Sequence, residues 1–334
     1  MAKAQRPPPT PDQFIEQILG APLEYTSADI AQMAGVEADV SRGLWRALGF
    51  ADVGDERAFT KKDLEALQGL LRLIDKGILT RDHATEIVRS IGQSTARLTE
   101  WQSNLIGRTM VERGIVNTSG LLHPTEMRAV LNESRTLKPA LEKLMVYAWR
   151  RQMAANASRG VAMALSGDIA NDVMAVGFAD LVGFTRLTRQ VPEIELAHIV
   201  EEFESGASDV VAGTGARLVK TLGDEVLFVH ASCSTVAETA IRLHEMRSGN
   251  EARPRMRIGI ASGTVINRMG DVFGNTVNRA SRLTAMAKPN SIYIDSETVT
   301  ELEGMKDKFT IKSVRPHRAP GFGLMRAWSL ARPK

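Results

Sequence analysis

"KTLGDEVLF", Lys220 to Phe228, sets two short apolar runs on either side of Gly223, with a cation at Lys220 and carboxylates at Asp224 and Glu225. Apolar runs flanking a glycine turn predict a β-hairpin. Charges at such a tip are ordinarily solvated, a turn aspartate opposite a surface lysine. Working outward, "DVMAVGFADLV", "ARLVKTL", "EVLFVHA", "MRIGIASGTVI" and "NSIYID" are further strand-like runs rich in β-branched residues. Helical stretches such as Glu193 to Ala212 and Val236 to Arg247 separate them, so the hairpin belongs to an α+β fold of helices on a sheet.

Upstream, from Phe14 to about Gly160, the pattern is helical almost throughout. In "TKKDLEALQGLLRLIDKG", Thr60 and Asp63 have capping-box spacing, Leu64, Leu67, Leu71 and Ile74 share one face, and Gly77 ends the helix. Two more helices are predicted, over His83 to Met110 and over Lys138 to Arg159. Pro7, Pro8, Pro9 and Pro11 predict an extended arm without helical hydrogen bonds. The expected organisation is a flexible Pro-rich arm (1–13), an all-α domain (14–155), a connector (156–172) and an α+β domain (173–334).

A chain of 334 residues suffices for two domains that each bury a core. With 43% hydrophobic and 24% charged residues, the composition is that of a globular protein, and disordered, collagen-like and coiled-coil classes are not expected. The net charge of +3 by itself demands neither nucleic acid nor a membrane. Cys233 is the single cysteine, so no internal disulfide or cysteine metal cluster forms, which fits a reducing cytoplasm. The start lacks a signal-peptide core and no run is long and apolar enough to span a bilayer, so a cytoplasmic protein without membrane contact is expected.

"YTSADIAQMAGV" followed by "LWRALGF" and "FTKKDLEAL" resembles the start of a MerR-type winged helix-turn-helix. Its second helix offers Arg42 and Arg46 but also Glu37 and Asp39, a thin footprint for phosphates. A helical module packed on its neighbours is the better reading, and no nucleic-acid partner is expected.

Three pieces of the second half bear chemistry together. In "FADLVGFTRLT" a strand ends at Asp180, and Gly183 turns the chain into a helix starting near Thr185. Taken alone, such an aspartate is more often a cap than a metal ligand. The hairpin can bring Asp224 beside it if their strands are neighbours, and two carboxylates together call for a cation. In "DVFGNTVNRASR", Asp271 to Arg282, a loop at Phe273 and Gly274 enters a helix with Asn278 and Arg282 on one face. A loop carboxylate, an amide and a guanidinium beside acidic strand ends suit a nucleoside triphosphate.

In order and spacing, "FADLVGFT", "KTLGDEVLF", "RIGIASG" and "DVFGNTVNRASR" resemble the class III nucleotidyl cyclase catalytic domain, from about Val173 to the C-terminus. The resemblance implies a ferredoxin-like βαββαβ sheet covered by helices, preceded by the helical regulatory domain of some bacterial members. It implies that Asp180 and Asp224, with the Leu181 carbonyl, hold two divalent metal ions, Mg²⁺ or Mn²⁺. Lys220 and Asp271 match the adenine-selecting pair, Asn278 the ribose-orienting residue and Arg282 the cation that stabilises the transition state. Phe184 and Thr185 lend amides to the phosphates, with Arg257 assisting. The implied reaction is attack of the ribose 3′-hydroxyl of ATP on its α-phosphorus, giving cyclic AMP and pyrophosphate by two-metal catalysis. Because both residue sets lie on one chain, the resemblance implies a homodimer with two composite sites.

Phe273, Gly274 and Asn275 stand where many relatives have Trp-Gly-Asp, and the phosphate lysine of some relatives has only Lys288 nearby. A guanylyl cyclase would want an acceptor in place of Lys220, and Leu222 breaks the Gly-Gly-Asp-Glu-Phe turn of diguanylate cyclases. The alternative from another class is a MerR-like DNA-binding regulator whose cyclase-like half senses a nucleotide. By resemblance to relatives the helical half regulates, with pH a candidate input through His83 and His123.

Overall fold

The structure is a computed structural model and describes residues 10–117, 123–166, 173–247, 254–268, 270–319 and 323–333. It divides into two compact units, residues 1–162 and 163–334. Residues 1–9 of the expected arm lie outside the described residues, and the arm does not extend to residue 13. Helix α1 (Pro11–Leu19) begins at Pro11, with Thr10 and Gln13 forming a capping box. Proline is tolerated in a first helical turn, where its missing N–H has no intrahelical partner.

In the first unit, α2 (Ser27–Ala34) and α3 (Ala38–Leu48) are joined at Gly35, which adopts φ 72°. The Thr60 N–H donates to Asp63 Oδ2 at 2.7 Å and starts α4 (Lys61–Asp75). Leu64 and Leu67 then bury against Ile30, Leu44, Trp45 and Phe59. Helix α5 spans Arg81–Glu112 and α6 spans Pro124–Ser166. The sequence expectation of a helix from Lys138 falls short of α6 at both ends. Pro139 lies inside α6, where it removes one hydrogen bond of a 43-residue ladder. The expected connector is helical to Ser166 and otherwise falls on residues 167–172, outside the described residues.

The second unit runs β1 (Val173–Leu181), α7 (Phe184–Leu187), α8 (Glu193–Thr214), β2 (Arg217–Leu222), β3 (Glu225–His230), α9 (Cys233–Arg247) and β4 (Met256–Thr264). It continues through β5 (Ile266–Arg268), β6 (Asp271–Phe273), α10 (Asn275–Met286), β7 (Ser291–Ile294), α11 (Ser296–Glu301), β8 (Thr310–Ala319) and β9 (Gly323–Ala331). Among the described residues, seven strands form one sheet in the order β2-β3-β1-β4-β7-β9-β8, while β5 and β6 pair only with each other. The first four strands, all antiparallel, with α8 and α9 as crossovers, are the ferredoxin-like βαββαβ arrangement. The parallel β4–β7 pair and the β8–β9 hairpin extend it.

Strand alternation sends Ala179, Val226, Phe228 and Ile258 to one face, where they pack with Phe203 and Ala207 of α8 and Ile241 of α9. Val176, Phe178, Leu227 and Ala261 go to the other face, under Ala280 and Leu283 of α10. Helix α10 lies unusually close to β4: a Cβ on Gly259 would stand 2.3 Å from the Thr284 nitrogen and 2.5 Å from the Ala280 oxygen. Cys233 is 3% exposed and accepts a hydrogen bond from Ser262 Oγ at 3.4 Å; burial pushes its thiol pKa up to about 11. No helix among the described residues is long and apolar enough to cross a membrane.

Candidate active site

Antiparallel register sets Asp180, near the end of β1, opposite Glu225 of β3 on one side and Arg257 of β4 on the other. The three form a cross-strand row on the face that α10 covers. Arg257 Nε donates to Asp180 Oδ2 at 2.5 Å, and its Nη1 donates to the Ala285 carbonyl in the last turn of α10 at 3.1 Å. Burial raises the Asp180 pKa, Arg257 works against that shift, and the Asp224 charge adds to it. The Glu225 carboxyl is also pushed up, first by burial and then by repulsion from Asp180 and Asp224.

Gly223 and Asp224 form the two-residue loop of the β2–β3 hairpin. Gly223 has φ 68° and Asp224 is not in the positive-φ region, the sign pattern of a type II′ turn, which demands glycine first. The Leu181 N–H donates to the Asp224 carbonyl at 2.9 Å, which docks the loop on the end of β1 and brings Asp224 to Asp180. The Lys220 ammonium works through its charge against the rise that burial gives the Glu225 pKa, but its hydrogen bond lies elsewhere. Its Nζ donates to Asp271 Oδ2 of β6 at 2.6 Å, and Asp271 Oδ1 accepts from the Val272 N–H at 2.8 Å. The solvent pair between Lys220 and Asp224 that a bare hairpin would suggest is replaced by a pair spanning 51 residues of sequence.

Asn278 and Arg282 stand on the exposed side of α10, whose Thr276, Ala280, Leu283 and Thr284 are buried against the sheet. Phe184 and Thr185 open the short α7 directly after β1, where the first amides have no intrahelical acceptor. Phe184 also packs on the core beneath α8. Lys288 is exposed just beyond α10. Among the sequence candidates, then, Asp180, Leu181, Asp224 and Arg257 come together, Lys220 and Asp271 come together, and Asn278 and Arg282 share one exposed helix side. Glu225 and Arg217 were missed. Glu225 was visible only as a hairpin charge, and nothing in "ARLVKTL" signals what Arg217 reaches.

The carboxylates offer oxygen donors alone, without Cys or His, the chemistry of a hard cation such as Mg²⁺ or Mn²⁺. Among the described residues no three acidic, Cys or His side chains converge into a complete cage. Two aspartates with repelling charges fit an ion that keeps waters and substrate oxygens in its shell. In the first unit, Arg42 donates to Asp39 at 2.6 Å and Arg46 Nε to the Arg42 carbonyl at 3.4 Å, so the cations of the helix-turn-helix segment have partners on their own helix.

Residues 169–331 match the family described as the adenylate and guanylate cyclase catalytic domain. An adenylate cyclase of Streptomyces coelicolor is 45% identical over 87% of this chain and 74% of its own length. An adenylate cyclase of Glutamicibacter nicotianae is 33% identical over 95% of this chain and 81% of its own. A Mycobacterium tuberculosis protein named as a pH-sensitive adenylate cyclase is 30% identical over 86% of this chain and 72% of its own. The fold, the placement of the acidic and basic pairs and these likenesses agree: the chain belongs to the adenylate and guanylate cyclase family.

Proposed function

We propose that the protein is an adenylate cyclase, converting ATP to 3′,5′-cyclic AMP and pyrophosphate at two composite sites of a homodimer. The observation that carries the choice of purine is the Lys220–Asp271 pair at 2.6 Å. An ammonium donor beside a carboxylate acceptor complements the adenine edge, where a ring nitrogen accepts and the exocyclic amine donates. Guanine presents a carbonyl and a protonated ring nitrogen instead, which would want an acceptor where Lys220 stands.

Asn278 orients the ribose so that its 3′-oxygen faces the α-phosphorus. The new O–P bond forms as the bond to the β-phosphate oxygen breaks, pyrophosphate departs and the hydroxyl proton passes to solvent. Arg282 meets the charge that develops on the reacting phosphate, and losing such a contact commonly costs about a hundredfold in rate. Divalent ions held by Asp180 and Asp224 would supply acidity to the hydroxyl and hold the triphosphate. The amides of Phe184 and Thr185, and Arg257 once it leaves Asp180, suit the remaining phosphate oxygens. Support for a shared site comes from α10: Asn278 and Arg282 are on its exposed side, whereas Asp180 is on the sheet it covers. The helical unit is taken as the regulatory part, with pH as its input.

Cyclic AMP and cyclic GMP formation by the full chain with Mg²⁺ or Mn²⁺ tests this directly. ATP is expected to be the strongly preferred substrate, and Asp180→Ala and Asn278→Ala are each expected to be nearly silent. Mixed in equal amounts, the two variants should recover about a quarter of wild-type turnover, because random pairing leaves one intact site in half of the dimers. A silent mixture sinks the shared site; absence of cyclic AMP with either metal sinks the enzyme.

A further inference from the structure

Strand β2 carries one extra residue. Leu218 pairs with Phe228, but the next pair is Lys220 with Leu227, so Val219 bulges out of the ladder. In a regular strand residues 217 and 220 point to opposite faces. The bulge cancels one step of the alternation. Arg217, opposite Val229, and Lys220, opposite Leu227, therefore face the same side, that of the core beneath α10.

Both side chains reach the β5–β6 hairpin. Lys220 holds the Asp271 carboxylate at 2.6 Å. Arg217 Nη1 donates to the Gly270 carbonyl at 2.8 Å, one residue before Asp271, and its Nη2 donates to Asn267 Oδ1 at 3.2 Å on the opposite strand of the hairpin. The hairpin has three residues per strand and, among the described residues, pairs with no other strand. Two-stranded hairpins are marginal by themselves, so this one depends on what grips it.

We propose that Arg217 is a positioning residue for purine selection: its guanidinium fork fixes the hairpin against β2, so that Asp271 meets Lys220 in the geometry that distinguishes adenine from guanine. The inference rests on the adenine role given above to Lys220 and Asp271. A planar fork with one acceptor on β5 and one in the turn before β6 sets an orientation, which a single point contact does not.

The test compares ATP with GTP in the full-length protein. Arg217→Ala should raise KM for ATP and lower the ATP-to-GTP ratio of kcat/KM, each about tenfold, and Arg217→Lys, which keeps the charge but not the fork, should recover only part of that ratio. A purely structural role would lower both substrates together and leave the ratio unchanged, which overturns the proposal. Lys220→Ala serves as the reference. If it lowers the ratio and Arg217→Ala does not, the role of Arg217 fails alone; if Lys220→Ala leaves the ratio unchanged, the adenine assignment fails and this one with it. Should Arg217→Ala not fold by circular dichroism, Arg217→Lys and Asn267→Ala, which removes one arm of the fork, decide by the same ratio.

Discussion

Glu225 sits directly across from Asp180, half-buried, and its carboxyl is pushed up by burial and by two neighbouring carboxylates. A carboxyl whose folded pKa exceeds its unfolded one contributes stability that is complete below the ordinary carboxylate range and is lost as pH rises through the folded value. At neutral pH the ionised group therefore works against the metal-free fold. Glu225→Gln should raise the Tm of metal-free protein at pH 7, and the gain should shrink as pH falls through the carboxylate range. Added Mg²⁺ should stabilise wild type more than the variant, because a cation offsets the repulsion. An equal Tm gap at pH 7 and pH 4 would contradict this account. Asp180 and Asp224 stand out in the sequence as a carboxylate near a strand end and one in a turn, but their metal role follows only from the likeness to a family. The partner of Lys220 was not legible in the hairpin alone, since Asp271 is 51 positions away and only the likeness to a family paired them. The bulge was invisible for a plainer reason: Val219 is an ordinary strand residue, and a one-residue slip exists only relative to the partner strand.

Among the elements, the capped α4 could be read outright, because Thr60, Asp63 and the leucine spacing are local signals. The β8–β9 hairpin could not. Pro316 interrupts "TIKSVRPHRA", and it falls within the register shift between Val314 and His317 on an edge strand, the setting in which a sheet accepts proline. Gly259 lies between these cases: a glycine inside a strand pattern hints at a close approach without saying to what. Here the approach is by the backbone of α10, with no space for a methyl group beside Ala280 and Thr284. Gly259→Ala should force α10 off the sheet and cost about 1–3 kcal/mol. That corresponds to a Tm lower by roughly 3–10 °C in a domain of this size. Because α10 carries Asn278 and Arg282, cyclase activity should fall at least about tenfold even at temperatures where the variant is folded. A variant that melts early yet turns over ATP normally would break the link between that packing and the site.

Taken whole, the chain changes character where the patterning changes. Helical spacing fills the described part of the first unit, and strand alternation begins at Val173. The two periodicities differ, so that change of character can be read from the sequence alone, whereas the roles proposed for the exposed side of α10 rest on the likeness to a family. The core of the second unit also hides a practical handle. Cys233 is the sole thiol in 334 residues, lies in the interior and titrates at about 11, so neither access nor thiolate supply favours attack. Folded protein should resist iodoacetamide at pH 8 for hours, and protein in denaturant should take up one label within minutes. Rapid single labelling of the native chain would refute this. If it holds, the labelling rate is a clock for the opening of the catalytic half alone, readable by mass in the presence of the intact helical half, with no dye, tag or engineered residue.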